Sequence, residues 1–561
     1  MSDGAPVPSV RSRVRHTVAD AWEHATASGS LPTVDTEARP DIEIERPADP
    51  SHGDLATNLA MKLARPMRRS PLQIAETLAA SLRELTAGHA LSEIQVAAPG
   101  FINMRLSPAW LEDVLAEART AGASFGRVIQ ERPLHLNIEF VSANPTGPLH
   151  VGNARGAFVG DLLTRVLEGG GHTVTREYYF NDSGTQIRKL GASVVARRKG
   201  EDVPEDGYRG AYVDDLAAEL PDDIWAAATS GGADGEGIVA DWAQERIRAG
   251  IEETLEHLGV HFDVWKSEAS LYTEGWVDRA VERLRSGGHI FEQDGATWFR
   301  STAFGDDKDR VVFRSTGEPT YFASDIGYLS EKFSRGFDKL IYVWGADHHG
   351  TVARVRNAAE AMGHDKDAVE MRLVAWVRFV REGVEIPMSK RSGDFLTLDE
   401  LLEEIGVDAA RWSFASRSAS SPIDVDIELA RRQSAENPVY YVQYAHARIS
   451  SILAKASAAG ILPAADFRGV LEGDDVATGL AREVLRLPEV IEDAARSEET
   501  HGITAYAMEL ATTFHAFYRD RRVIDPEEPL TSGGRLALME VTQAAIRNAL
   551  ALLGISSPES M

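Results

Sequence analysis

The sequence predicts a multidomain α/β protein: a parallel-sheet domain in the middle, a small α+β domain before it and an all-α domain after it. Three observations carry this. At 561 residues the chain is too long for one core, and two to four domains are expected. Between about 135 and 400, strand-like and helix-like runs alternate, the pattern of a parallel sheet with crossover helices. From about Ala409 onward strand signals fade and long helical patterns dominate.

Composition narrows the function classes. Hydrophobic residues at 43% and charged residues at 26% fit a soluble globular protein. No apolar run is long enough to span a bilayer, and the N-terminus lacks the apolar core of a secretory signal, so a cytoplasmic protein with no membrane partner is expected. The absence of cysteine excludes disulfides, thiolate zinc sites and cysteine nucleophiles. A net charge of −27 argues against broad non-specific nucleic-acid binding but leaves room for a local basic track. No coiled-coil seam is present, which makes a monomer the default.

Residues 1–118 form the first unit. Arg11, Arg13 and Arg15 lead a helix running to about Ser28, either as a solvated face or as contacts to a polyanion. Leu55, Leu59, Met61 and Leu63 could line a helix, which Arg65, Arg68 and Arg69 follow. A helix over 72–85, strands at 94–96 and 100–106 and a helix over 108–121 complete it. The middle unit, 119–408, opens with Leu134, Leu136, Ile138 and Phe140 alternating along a strand. A helix follows and ends at Gly169-Gly170-Gly171, and the next strand covers 174–180. Residues 200–240, acidic and rich in Gly and Ala, read as an insertion or mobile connection within a larger insertion at about 190–290. Asp294-Gly295 between apolar runs predicts a hairpin. Further strands are expected at 339–344 and 372–380, and 409–561 is expected to be all-α.

Five stretches carry chemistry. EFVSANPTGPLHVGNAR, from Glu139 to Arg155, sits at a strand-to-helix turn, where a phosphate can meet the free N–H groups of a helix start. Pro145 and Pro148 stiffen it, and Gly147 and Gly152 permit close backbone approach. PMSKRSG, from Pro387 to Gly393, sets Lys390 and Arg391 in a small-residue loop; alone it is most simply a basic surface turn, but it could face the first turn across a crevice and offset phosphate charge. In YFASDIGYL, Tyr321 and Asp325 lie one helical turn apart and, with Glu139, could surround a guanidinium, unless Ser324 or Asp325 simply caps a helix. In YVWGADHHG, adjacent His348 and His349 have no second ligand cluster, which favours a polar pocket lining over a bound metal. Tyr440, Tyr441, Tyr444 and Arg448 recur at helical spacing, as core packing or as a surface for stacking unpaired bases.

Together these stretches resemble one family, the class I arginyl-tRNA synthetases of bacterial type. LHVGN resembles the first class I signature, His-x-Gly-His, and PMSKRSG the second, Lys-Met-Ser-Lys-Ser. The arginyl assignment rests on EFVSANPTGPLHVGNARGAFVGD, REYYFNDSGTQ, YFASDIGYLSEKFSRGFDKLIYVWGADHHG and NPVYYVQYAHARI, with SHGDLATNLAMKLA and GFINMRL for the N-terminal domain. The resemblance implies a Rossmann-like catalytic domain, an N-terminal domain on the tRNA elbow and a C-terminal domain on the anticodon. It implies ATP-dependent formation of arginyl-adenylate, tRNA being needed for that step, and transfer of arginine to the terminal adenosine of tRNA-Arg. Mg²⁺ would arrive with ATP, with no protein-bound metal.

Carried over by position, His150, Asn153 and Lys390 are the catalytic candidates. The ATP site would add Gly147, Pro148, Leu149, Gly152, Met388 and Ser389. Glu139, Ser142, Asn144, Tyr321, Asp325 and His348 would hold L-arginine. Arg65, Arg68, Arg69, Tyr440, Tyr444 and Arg448 would contact tRNA, the arginines as part of a basic stripe on one side. Asn153 replaces the second signature histidine and cannot become cationic, and Pro387 removes one loop charge. Two other readings are a paralogue that delivers arginine to a small amine and a non-catalytic tRNA-binding protein; aminoacylation of tRNA-Arg separates all three.

Overall fold

The structure is a computed structural model that describes residues 5–182, 184–230, 234–346, 349–386 and 396–561, and of His349 the backbone only. Helix α1 (Val10–Ala27) precedes strand β1 (Leu55–Thr57), α2 (Leu59–Met67) and α3 (Pro71–Thr86). Strands β2 (Leu91–Ala97) and β3 (Phe101–Leu106) and helix α4 (Pro108–Ala121) follow. The three strands form an antiparallel sheet in the order β1-β3-β2. Leu55 was expected in a helix, but Leu55 and Thr57 alternate inward as a strand against Ile102–Met104, and the helix starts only after Asn58.

Arg11 and Arg46 serve the fold rather than an open face. Arg11 forks onto Asp493 with both bonds at 2.8 Å and reaches Glu492, and Arg46 pairs with Glu489, so this unit is tied to the helical C-terminal segment. Glu112, buried, accepts the backbone N–H groups of Gly469 and Leu471 across the same junction.

In the middle unit β4 (His135–Glu139) leads to α5 (Val151–Gly169), β5 (Thr173–Phe180) and α6 (Thr185–Lys199). Helices α7 (Ala211–Glu219), α8 (Asp222–Thr229) and α9 (Gly235–His257) occupy much of the stretch read as an insertion or mobile connection, whose described part is largely helical. Ala240, at its end, packs closely on α6: a Cβ on Gly191 would stand 2.6 Å from that of Ala240. Then come β6 (Val264–Ser267), α10 (Glu268–Thr273), α11 (Trp276–Ser286), β7 (Ile290–Gln293), β8 (Ala296–Phe299), β9 (Arg310–Phe313) and α12 (Tyr321–Ser334). The hairpin turns on Asp294 and Gly295, at φ 53° and 77°, as its sequence predicts. Strand β10 (Lys339–Gly345), α13 (His349–Ala361) and β11 (Val369–Val374) complete the unit's main sheet.

Among the described residues five strands make that sheet, all parallel, in the order β11-β10-β4-β5-β6. The order reverses beside β4, so the crevice for a ligand lies at the carboxyl ends of β4 and β10. The strand expected over 372–380 is two strands: β12 (Val377–Arg381) leaves the main sheet, and Ala375 between them bonds the carbonyl of Ala419. With β13 (Val384–Glu385) and β14 (Ile423–Asp426) it forms a separate small sheet.

Helices α14 (Leu398–Ile405), α15 (Val407–Ala415) and α16 (Ile427–Arg431) flank β14. A strand therefore lies within the segment expected to be all-α, because Ile423 and Val425 alternate inward against β12. From α17 (Pro438–Ala458) on, the described elements are helical: α18 (Asp475–Val484), α19 (Leu487–Ser497), α20 (His501–Asp520) and α21 (Pro529–Leu552). No described helix is long and apolar enough to cross a membrane.

Arg411 on α15 joins the pieces. Fully buried, it pairs with Asp161 of α5 at 2.7 Å and donates to the carbonyls of Leu258, Gly259 and Leu553. Gly554, at φ 65°, has room for no Cβ there, since one would stand 2.3 Å from Nη1 of Arg411. Breaking a buried pair strands the remaining charge. Arg411→Ala should therefore cost about 3–5 kcal/mol, measured as a lower urea midpoint, with Arg411→Lys recovering only part because one ammonium cannot span these carbonyls.

Candidate functional site

The site starts where β4 ends. Glu139 is buried at the carboxyl end of β4, with Oε2 accepting from Nζ of the fully buried Lys332 at 2.7 Å. The Lys332 ammonium also lies over the rings of Tyr328 and Tyr342, 4.2 and 4.0 Å from their centroids. Below it, Glu177 accepts from Asn137, Tyr328 and Arg335. Burial alone would raise the Glu177 carboxyl, but the charges of Lys332 and Arg335 hold it below its ordinary range.

Two residues past Glu139 the backbone turns sharply. Val141 and Ser142 both take positive φ, 66° and 46°, a region costly for a β-branched residue. The turn is held from outside: the phenol of Tyr178 accepts from the N–H of Ala143 and donates to its carbonyl, at 3.0 and 2.9 Å. It brings the Ser142 hydroxyl to Oε1 of Glu139 at 3.3 Å and under the N–H of Tyr179. Asn144 then donates to Gln186 at 2.8 Å.

Asp325 on α12 belongs to the same pocket. Burial and the nearby carboxylates of Glu139 and Glu268 push it up to about 7, with Arg354 offsetting part of this. The Tyr179 phenol is driven above its ordinary value by burial and by the fields of Glu268, Asp325 and Glu139, so it stands among all three carboxylates. Glu268, buried at the start of α10, accepts from the Ser324 hydroxyl at 2.6 Å. Lys332 offsets Glu139 and Arg354 part of Asp325, and the cluster of three acids suits a cation with several donors. Tyr321, the expected aromatic wall, stands at the start of α12 with 74% of its surface exposed. Spacing along the chain gives no sign of Glu268 or Tyr179; only the fold brings α10 and β5 to Asp325.

The second half of the site is the start of α5. His150 is its N-cap: Nδ1 accepts from the N–H of Gly152 at 3.1 Å, and Asn153 Oδ1 accepts from the His150 N–H at 3.1 Å. Partial burial lowers the His150 imidazole below its ordinary value, so the ring is neutral with its proton on Nε2. Gly152 is required, because a Cβ would stand 2.8 Å from that ring. Asn153 thus fixes the turn through its oxygen. Gly147, Pro148, Leu149, His150 and Asn153 line one cavity of about 380 Å³, roofed by Tyr208 and Tyr212, whose hydroxyl donates to the Thr146 carbonyl. Gly152 lies in the turn beneath them.

The chain after the second signature loop comes back to this turn. Val151 donates to the carbonyl of Leu396 and Leu398 to that of Leu149, at 3.1 and 3.0 Å, and His150 bridges Thr397. Met388, Ser389, Lys390 and His348 lie outside the described residues. Among the described residues no cluster of three His, Asp or Glu side chains has metal-holding geometry.

Away from the cavity, Arg65, Arg68 and Arg69 are exposed at the end of α2, Arg69 donating to the carbonyl of Ser30. On α17, Tyr440 is half-buried and Tyr444 exposed, while Arg448 lies over the ring of Tyr518, 4.9 Å from its centroid. His515 and Tyr518 of α20 join this aromatic face, which the spacing on α17 alone does not reveal.

Three family models match the chain: "Arginyl tRNA synthetase N terminal domain" over 10–106, "tRNA synthetases class I (R), catalytic domain" over 125–214 and 231–435, and "DALR anticodon binding domain" over 442–561. The chain is 43% identical to the arginine–tRNA ligase of Bacillus licheniformis over 93% of its own length and 95% of the relative's. It is 46% identical to that of Desulforudis audaxviator over 93% and 94%. The arginyl-tRNA synthetase structure from Thermus thermophilus has the same fold, with a TM-score of 0.75 at 23% identity over 98% of this chain and 100% of that one.

A cation binds the ionised acid, so occupancy should strengthen as pH rises through the Asp325 value near 7. Calorimetry of a guanidinium-bearing amino acid, in buffers of differing ionisation heat, should show proton release at pH 6.5 that fades by pH 8.5 and is absent in Asp325→Asn. Equal release in that variant would place the titrating group elsewhere.

Proposed function

The chain belongs to the class I arginyl-tRNA synthetases, and from that premise we propose how its residues divide the work of an arginine–tRNA ligase. The observation that carries the proposal is the cluster of Glu139, Glu268 and Asp325 around Tyr179, at the switch-point end of the sheet from which the chain runs on to His150. The guanidinium of L-arginine enters this cluster. Asn144 and Ser142 hold the amino-acid end, which directs its carboxylate toward the ATP cavity. A carboxylate oxygen bonds to the α-phosphorus of ATP, the bond from that phosphorus to the bridging oxygen breaks, and pyrophosphate leaves. The terminal adenosine hydroxyl of tRNA-Arg then attacks the carbonyl of the adenylate and AMP departs.

The N–H groups of Val151, Gly152 and Asn153 are already bonded within the protein, so the ATP phosphates meet the N-terminus of α5 through the helix dipole and the His150 side chain rather than through free N–H groups. His150 donates from Nε2, and Asn153 keeps the imidazole in place from the cap. On its sequence match, Lys390 takes the leaving pyrophosphate. Mg²⁺ comes with ATP, since Glu400 is the single carboxylate among the described residues lining that cavity. Specificity over lysine follows from geometry: several acids around a planar fork suit five fixed donors better than one point charge.

Residues 1–118, with Arg65, Arg68 and Arg69, meet the tRNA elbow. The helical segment with Tyr440, Tyr444 and Arg448 meets the anticodon. The 119–408 unit, extended by β14, carries the chemistry. We place the protein in the cytoplasm as a monomer, with adenylate formation awaiting tRNA.

With arginine, ATP–pyrophosphate exchange should appear only when tRNA-Arg is added; exchange without tRNA would remove the requirement, and none under any condition in folded protein would remove the activity. Asp325→Ala should raise the arginine KM about a hundredfold, equivalent to about 2.7 kcal/mol, and leave the ATP KM nearly unchanged. Equal damage to both would misplace Asp325.

A further inference from the structure

A second cleft lies at the opposite end of α5 from His150. The helix has 19 residues, which puts its ends roughly 28 Å apart. The cleft encloses about 700 Å³ between residues 123–127, the turn from α5 into β5, and helices α19 and α21. Phe125, Ile491 and Leu552 give it apolar walls.

Its polar lining is basic in a chain of net charge −27. Arg127 and Arg547 both face it, and neither guanidinium has a hydrogen bond or ion pair among the described residues. Arg165 pairs with Asp161, but that carboxylate also serves the buried Arg411, so one acid faces two guanidiniums. The carboxylate in the lining, Glu168, is spent on a two-pronged bond to Arg176, at 2.9 and 2.7 Å. Positive charge is therefore in excess around the cleft.

Helix capping does not account for these arginines. The last carbonyls of α5 are already satisfied: Val166 by the N–H of Gly170, Leu167 by that of His172, Glu168 by that of Gly171, and Gly169 by that of Val128. The Gly170 carbonyl accepts from Gln130. Two unspent forks on one concave, partly apolar wall match a phosphate monoester, whose oxygens accept paired N–H bonds.

We propose that this cleft binds a small phosphorylated anion, with Arg127 and Arg547 as its principal donors and Arg165 behind them. A ligand held there would bridge the linker after α4, the main sheet and the C-terminal helices. The enclosed concavity and apolar walls favour a small molecule over an RNA backbone, which needs a longer run of phosphate contacts.

Calorimetry on the intact chain with inorganic phosphate and with ribose 5-phosphate tests this. The expected result is saturable binding at one site, weakened at least tenfold in Arg127→Ala/Arg547→Ala and retained in His150→Ala. Arg127→Ala alone, a change at an exposed side chain, should already weaken it several-fold, which covers a double variant that fails to fold. No saturable binding at millimolar ligand, or binding indifferent to both arginines, would overturn the proposal. So would a double variant that loses tRNA affinity and its salt dependence while phosphate binding stays unchanged, since the arginines would then serve the RNA backbone.

Discussion

The site depends on one buried ion pair, Glu139 with Lys332, at the end of the central strand. Each partner would be costly alone, and the pair is kept because its remaining polar atoms are used. Lys332 sits between two tyrosine faces, and Glu139 takes the Ser142 hydroxyl on its second oxygen. The pair fixes how far α12 stands from β4, which places Asp325 relative to Glu139. Lys332 offsets Glu139 and Arg354 offsets part of Asp325, so the three acids together are only partly balanced by protein cations. The raised Asp325 carboxyl reflects burial first and the neighbouring carboxylates of Glu139 and Glu268 second.

The adjoining loop stores strain of a second kind. Val141 and Ser142 occupy left-handed backbone, a cost of order 1–3 kcal/mol each, and Tyr178 holds them there from the neighbouring strand. Without that turn the chain would continue past the sheet. With it, the residues after Glu139 cross the strand ends and arrive at α5 with His150 at the cap. Gly160, against which Phe140 packs where a Cβ would collide, lets α5 lie close enough for the short loop to span. Strand end, strained turn and helix start thus form one unit that sets the acids around Glu139 beside the His150-capped start of α5.

Much of this was legible where the information is local. Alternation over 134–140 marks β4, Asp294-Gly295 marks its hairpin, and the HVGN turn is a helix start from its residues alone. What local pattern cannot give is the company a residue keeps. Glu268, Ser324 and Tyr179 come from three separate elements, and no spacing links them to Glu139. Asn153 reads as a donor at a signature position, whereas its oxygen closes the cap. The Gly- and Ala-rich stretch reads as an insertion or mobile connection because small residues are ambiguous: they loosen a loop but tighten a helix pair, and only the partner helix decides. The basic cleft at Arg127 and Arg547 has no signal at all in a sequence where its two donors lie 420 residues apart.

The overall charge of −27 and an RNA substrate are reconciled by where the charges are spent. Many arginines that might have faced RNA are turned inward. Arg11 and Arg46 bind the acids of α19, Arg155 holds the carbonyls of Trp376, Ser418 and Ala419, and Arg411 closes the centre. Exposed carboxylates elsewhere on the surface are screened beyond about 8 Å at physiological salt, so the net charge says little about any one face. An RNA phosphate responds to the local set within that distance. At the end of α2 that set includes three exposed arginines in five residues, and on α17 it includes Arg448 among aromatic rings. The acidic remainder of the surface then acts against binding in other registers, so a negative protein can hold a polyanion at a few places and reject it elsewhere.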